Sequence, residues 1–386
     1  MYICSKIVNC MVPFMYGLIA ENDNFIDRVE DRKQLKTFLG GGINVMLISP
    51  RRWGKSSLVK AAMEELKQED KQVRVCYLDA SRIISEEEFY NKFAIAVIES
   101  ASSTLEKKWA DFKQYVQALI PGVKLKASAF DAVEMEMELN FAPLKDSAER
   151  VLQLPEQISI DKGLHIIVCI DEFQQLSYLP NWKKMEATMR SVWQHQHHSN
   201  YCLYGSKRHM MMDIFNNSNN PFYRFGQVLY MKKIEKQYWM PYIMEGFTKT
   251  GKHISEELAS KICDIAQCHS WYVQQFSLFV WMNTETEATE EIVNRQLQVV
   301  IDTNADMFAK DIENLAASQV AMLRAVSAGE TQFNAKEVVE RYGLGAPRTI
   351  TLNKKTLIKR DIIEICGDSY QFVDPIYALW FKREYM

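Results

Sequence analysis

Gly54, Lys55, Ser56 and Ser57 follow directly on Ser49, Pro50, Arg51, Arg52 and Trp53. A permissive residue, then an ammonium, then a hydroxyl, at this spacing, suits the handling of phosphate. Backbone N–H groups of such a loop wrap phosphate oxygens, Lys55 reaches the β- and γ-phosphates, and Ser56 holds magnesium. The usual first glycine of the pattern is Ser49 here, which demands a less extreme backbone angle at that turn. A second pair of groups, Asp171 and Glu172, ends the apolar run from Leu164 to Ile170. Asp171 would position Mg2+, and Glu172 would polarise an attacking water as general base. Taken singly, the first motif has a plainer reading as a basic loop before a surface helix, and the second as a solvated turn. Together they point to phosphoryl chemistry on a nucleoside triphosphate.

Such groups work only if strands deliver them to one edge. Asn44 to Ile48 is a short apolar run before the loop, and Ser57 to Lys67 has helical periodicity, so the loop joins a strand to a helix. Further strands are expected at Val73–Asp79, Leu164–Ile170, Tyr201–Ser206 and Val228–Tyr230. Open α/β sheets bind ligands beyond the carboxyl ends of their strands, where Ser49, Asp171 and Ser206 would gather. Ser206 is therefore a candidate sensor of the γ-phosphate, or else a simple strand-to-loop serine. One guanidinium can supply about 10³ to 10⁵ in phosphoryl-transfer rate. Arg208 and Arg224 are the candidates, with Arg224 preferred because it lies between the sensor strand and the last strand. Action within the subunit and on a neighbouring one both stay open. Arg51 and Arg52 either face solvent or touch phosphate.

These residues carry a family resemblance. Pro13-Phe14, Phe25-Ile26-Asp27-Arg28, the loop from Ser49 to Ser56, Ile170-Asp171-Glu172-Phe173-Gln174, Gly205-Ser206 and Pro221-Phe222-Tyr223-Arg224 occur in this order. In this the chain resembles the archaeal-type ATPase family, a branch of the AAA+/STAND P-loop ATPases. The resemblance implies an α/β fold: a P-loop NTPase parallel sheet of order 5-1-4-3-2, a helical lid and a C-terminal winged-helix domain. It also implies that Phe25, Ile26 and Arg28 lie beside adenine, although Asp27 stands where many relatives carry glycine. His269-Ser270-Trp271-Tyr272-Val273-Gln274 occupies the lid-motif position, with Ser270 in place of the usual proline. ATP or ADP and Mg2+ are the implied ligands.

The expected organisation is a lead segment over 1–27, an ATPase core over 28–234, a lid over 235–310 and a winged helix over 311–386. An insertion at about 86–150 would hold a helix from Glu86 to Leu119 and a hairpin. Its strands, Val123–Lys126 and Glu134–Leu139, alternate with period two, so that lysines and glutamates could pair across them. The expected third helix of the last domain, Pro347 to Arg360, bears Arg348, Lys354, Lys355, Lys359 and Arg360 without one acid. It could lie in a major groove of double-stranded DNA, and winged helices equally serve as protein-docking modules. Asn353-Lys354-Lys355-Thr356 lacks the aspartate that would read guanine, so ATP is the expected nucleotide.

A net charge of -3 excludes a globally polybasic coat, while 47% hydrophobic and 25% charged residues exclude a disordered chain. Ile7 to Ala20 is interrupted by Asn9 and Pro13 and is too short to span a bilayer, which needs about 20 residues. The readable pattern begins near Met11. The eight cysteines are scattered without a Cys-x-x-Cys pair, and neither Cys263, Cys268 and His269 nor His195, His197 and His198 has zinc spacing. A cytoplasmic ATPase acting as a conformational switch, with no membrane partner and a capacity for homo-oligomers, is the expected function. A nucleotide-dependent DNA-binding protein and an ADP-holding signalling scaffold are the alternatives.

Overall fold

The structure is a computed structural model that describes residues 12–18, 26–101, 124–130, 134–140 and 148–386, the segments 124–130 and 134–140 by backbone alone. In chain order the first strands are β1 (Val45–Ile48), β2 (Val73–Asp79), β3 (Lys124–Phe130), β4 (Glu134–Asn140), β5 (His165–Asp171), β6 (Ser199–Gly205) and β7 (Gln227–Tyr230). Five of them form one sheet in the order β2-β5-β6-β1-β7, and every neighbouring pair in it runs parallel. Counted along these five strands, this is the order 5-1-4-3-2. Every residue of β1 and β6 is buried, as are the five central residues of β5, whereas the edge strand β2 mixes buried and exposed positions and the other edge strand, β7, has only half-buried and exposed ones. Parallel sheets covered by helices on both faces require such near-continuous apolar runs.

The helix after the loop, Lys55–Glu69, buries Leu58, Val59, Ala62, Met63 and Leu66, a spacing of three and four that keeps one face on the sheet. Glu86–Ala101 buries Phe89, Phe93, Val97 and Ile98 in the same way. The remainder of the helix expected to reach Leu119 lies outside the described residues. In the hairpin, β3 and β4 are antiparallel, with Lys126 opposite Glu138 but Lys124 opposite Asn140. The expected charge complementarity is therefore met at one lysine and not at the other.

The chain divides into two compact units. One comprises Arg28–Arg51 and Lys55–Lys232; the other comprises Met1–Asp27, Arg52–Gly54 and Lys233–Met386. The first holds the sheet, with a core built on Met46, Ile48, Phe93, Val168, Ile170, Phe173, Trp193 and Phe222. The second is helical, and one continuous apolar core runs from Trp239 and Phe247 through Phe276 and Val300 to Leu357, Phe372 and Phe381. Three of its helices begin at side-chain caps: Ser255 accepts from the Leu258 N–H, Thr289 from Ile292, and Asp374 from Ile376 and Tyr377. Near its end, helices Ala317–Ser327, Lys336–Tyr342 and Pro347–Lys359 precede the hairpin β8 (Ile363–Cys366) and β9 (Ser369–Phe372). Among the described residues no helix is long and apolar enough to cross a membrane.

Candidate active site

Parallel register brings the chemistry together. Ile48 lies opposite Gly205, so the loop leaving β1 starts beside Ser206, and β6 in turn pairs with β5, which ends at Asp171. At this edge the Lys55 ammonium lies 3.2 Å from Asp171 Oδ1 and 3.1 Å from Glu172 Oε1. The Ser56 hydroxyl donates to Asp171 Oδ2 at 2.6 Å. Glu172 Oε2 accepts from Ser206 Oγ at 2.8 Å, from Ser206 N at 3.2 Å and from Gln174 Nε2 at 2.5 Å. Arg51 adds a longer contact, its Nε donating to Ser206 Oγ at 3.4 Å. Burial pushes the Glu172 carboxyl up, but the Lys55 ammonium and the Gln174 and Ser206 donors outweigh it and hold the group below the ordinary carboxylate range. A lysine that is 8% exposed thus has its charge balanced by two carboxylates.

The loop's backbone explains its composition. Ser49 is fully buried, its hydroxyl donates to Pro50 O at 3.0 Å, and it is not among the residues with positive φ. Those positions fall on Arg52, at φ 63, and on Gly54, at φ 88. A Cβ on Gly54 would meet nothing within 4 Å, so the backbone angle, and not space, asks for glycine there. Ser57 is buried under the first turn of the helix. Arg52 and Trp53 count with the helical unit. There the Arg52 guanidinium lies 4.6 Å from the Trp271 ring centroid, and Trp53 meets His269 edge-on with ring centroids 6.4 Å apart. Burial, helped by Lys233 and Arg52, drives the His269 imidazole down to about 3.

Other expected site residues are placed differently. Arg28 is buried at the start of helix Val29–Gly40, where its guanidinium donates to Asp31 at 3.0 Å and to the Lys232 carbonyl at 2.5 Å. Ile26 packs against the core of the helical unit, and Phe25 lies outside the described residues. Arg224 is exposed, with φ 55, and its guanidinium lies 5.2 Å from the ring centroid of Tyr223; it does not join the carboxylate cluster.

The winged-helix basics also separate. On Pro347–Lys359, Ile350, Asn353 and Leu357 form the buried face, and Arg348, Lys355 and Lys359 are exposed. Lys354 sits between two rings, 4.2 Å from the Phe333 centroid and 4.7 Å from that of Tyr370. Arg360 donates to the Asn314 carbonyl at 2.8 Å. Four of the five expected basic groups are thus exposed, Arg360 among them, and Lys354 is half-buried against the two rings. Asn353 donates to the Ser318 carbonyl at 3.1 Å, a packing role.

Three residues with no role assigned from sequence emerge here: Gln174 and Gly205 beside Glu172, and Asp374, whose carboxylate accepts from the Tyr272 hydroxyl at 2.6 Å. The available signals are the place of Gln174 two residues beyond Glu172 and of Gly205 directly before Ser206, both within the motifs that carry the family resemblance.

A family model described as an ATPase domain predominantly from Archaea matches residues 25–275. The chain belongs to this ATPase family. A second model, described as a probable winged helix domain, matches residues 306–383. Among solved structures, the Walker-type ATPase of Pyrococcus abyssi is 17% identical with a TM-score of 0.70, over 96% of this chain and 99% of that one. The Aeropyrum pernix ORC2 protein, described as ADPNP-ADP complexes, is 12% identical with a TM-score of 0.59, over 97% of each chain. Comparison with curated protein sequences gives no match. This chain thus shares its fold with these structures and carries a C-terminal winged helix, and the motif residues of this ATPase sit where the fold brings strand ends together.

Proposed function

We propose that the chain binds ATP and hydrolyses it with Mg2+, and that the cycle acts as a conformational switch. The convergence of Lys55, Ser56, Asp171, Glu172 and Ser206 at the ends of β1, β5 and β6 carries this reading. Nucleotide in the similar Aeropyrum pernix ORC2 structure supports it. On binding, Lys55 would exchange the two carboxylates for the β- and γ-phosphates, and backbone N–H groups of 49–57 would wrap the remaining oxygens. The Ser56 hydroxyl and Asp171 carboxylate, already in contact, form an oxygen donor set that fits a hard cation. Bound there, magnesium would screen phosphate charge. Glu172, freed of Lys55, would accept the proton of the attacking water, while Ser206 would donate toward the γ-phosphate region. Arg224 is read as an arginine offered to a neighbouring copy, because it is exposed and stands off the cluster.

The test is steady-state Mg-ATP hydrolysis across protein concentration, comparing wild type with Glu172→Gln. A loss of about 10² to 10⁴ in turnover with nucleotide affinity retained is expected. A specific rate that rises with concentration in wild type and not in Arg224→Ala is expected for an arginine supplied between subunits. Equal turnover in wild type and Glu172→Gln would refute the reading, and retained ADP without turnover would favour the signalling scaffold.

One face of Pro347–Lys359 favours a second reading, contact with double-stranded DNA. Arg348, Lys355 and Lys359 are spaced at seven and four residues, which aligns them on the exposed side. Lys355→Ala and Lys359→Ala should each lower the salt dependence of duplex binding by about one unit of slope. Duplex affinity unchanged by the double substitution would leave the protein-docking role.

A further inference from the structure

We infer that Gln174 is a positioning residue that fixes the orientation of the Glu172 carboxylate, and that Gly205 is glycine to leave room for it. This rests on the ATP-hydrolysing reading of the site.

Glu172 leaves β5 in a left-handed conformation, φ 49 and ψ 39, and the chain then turns through the short 3-10 helix Phe173–Tyr178. That turn carries Gln174 back to the carboxylate two residues before it. The Gln174 side chain is fully buried. Its Nε2 donates to Glu172 Oε2, whereas its Oε1 is buried with no hydrogen-bond partner among the described residues. An amide turned over would set its oxygen against the carboxylate oxygen, so Glu172 dictates which way the amide faces. An orphaned buried carbonyl is destabilising, a cost that an apolar side chain of similar length would avoid. The glutamine therefore carries a penalty that packing does not explain.

Gly205 supplies the second, independent observation. Its φ is not positive, so no backbone constraint asks for glycine there. Space does: a Cβ would fall 1.8 Å from Gln174 Oε1 and 2.9 Å from its Cδ. The same Cβ would come 3.0 Å from Met211 Sδ, in the middle of a flexible side chain able to give way. The residue after this glycine is Ser206, whose N–H and hydroxyl are the other two donors to Glu172 Oε2. One carboxylate oxygen is thus clamped by three donors from two chain segments. The other, Oε1, is held among the described residues by Lys55. When Lys55 moves to phosphate, Oε1 is released toward water with its direction already set by the clamp on Oε2. Orientation of this kind acts on the chemical step more than on nucleotide binding.

The experiment is a kinetic cycle on the full chain: wild type, Gln174→Met, Gln174→Ala, Gly205→Ala and Gln174→Ala/Gly205→Ala. Melting temperature and affinity for a fluorescent ATP analogue in EDTA are measured on each. Gln174→Met is expected to lower kcat by about 10- to 100-fold with KM and analogue affinity within about threefold of wild type. Gly205→Ala is expected to reproduce this loss in the wild-type background and to add little in Gln174→Ala, where the atoms it strikes are gone. Unchanged kcat in Gln174→Met, parallel loss of kcat, analogue affinity and melting temperature, or additive losses in the double variant would each overturn the inference while leaving hydrolysis intact. Wild-type protein without Glu172-dependent turnover would instead refute the proposed function, and the inference with it.

Discussion

The sheet unit and the helical unit treat charge in opposite ways. At the sheet edge, Lys55, Asp171 and Glu172 meet within 3.2 Å and every carboxylate oxygen has a donor. In the helical unit, basic groups are dispersed. Lys354 lies between two rings, Arg360 caps a carbonyl, Arg348, Lys355 and Lys359 face out, and His269 is buried beside Lys233 and Arg52. The difference teaches that a motif whose residues come from several strand ends encodes convergence, because parallel register carries every strand end to one edge. Like charges along one helix are sorted by angle, because 3.6 residues per turn keep Arg348, Lys355 and Lys359 on one side and turn Lys354 to another.

Three perturbations, beyond those tied to Glu172 and Gln174, would break or sharpen this contrast. The largest effect is expected at Lys55. Lys55→Ala should abolish Mg-ATP turnover by about 10²-fold or more and weaken nucleotide binding, measured by isothermal titration. Retained turnover would mean that the convergence at the sheet edge is a structural ion pair and no more.

His269 tests the other unit. Its folded-state value of about 3 lies below the unfolded value near 6.5, so the unfolded chain binds the proton first as pH falls. Stability from the neutral imidazole is therefore full above about pH 6.5 and is lost progressively toward pH 3. Chemical denaturation should show about 2 kcal/mol less stability at pH 5 than at pH 7 from this group, and His269→Gln should flatten that slope. An unchanged slope would mean that the imidazole is not buried beside its cationic neighbours.

The smallest effect separates adjacent lysines. Lys354→Met should cost about 1 kcal/mol through the lost ring contacts, whereas Lys355→Met should change stability by less than about 0.5 kcal/mol. Equal costs would erase the distinction between the two sides of the helix.

Much of the site was legible because its signals are local and periodic. Gly54-Lys55-Ser56 and Asp171-Glu172 each follow an apolar run, and such runs in this spacing form buried parallel strands whose ends must coincide. The resemblance implies Arg28 beside adenine, and what sequence does not show is that its guanidinium donates to the Lys232 carbonyl. The basic set from Arg348 to Arg360 reads as one run, and Phe333 and Tyr370 draw Lys354 against their rings. Both partnerships depend on residues more than fifteen positions distant, which local pattern does not carry.

The sequence by itself determined the strand–loop–helix at Lys55, the carboxylate pair after β5, the parallel sheet order through family resemblance and the winged-helix pattern. Tertiary structure alone decided which carboxylate oxygen each donor holds, that Gln174 and Gly205 interlock, and which lysines of one helix reach solvent. The physical reason is range: hydrophobic period and backbone preference act over a few residues. Hydrogen-bond partners and the space for a single Cβ are set by chain segments that meet only once the sheet has formed.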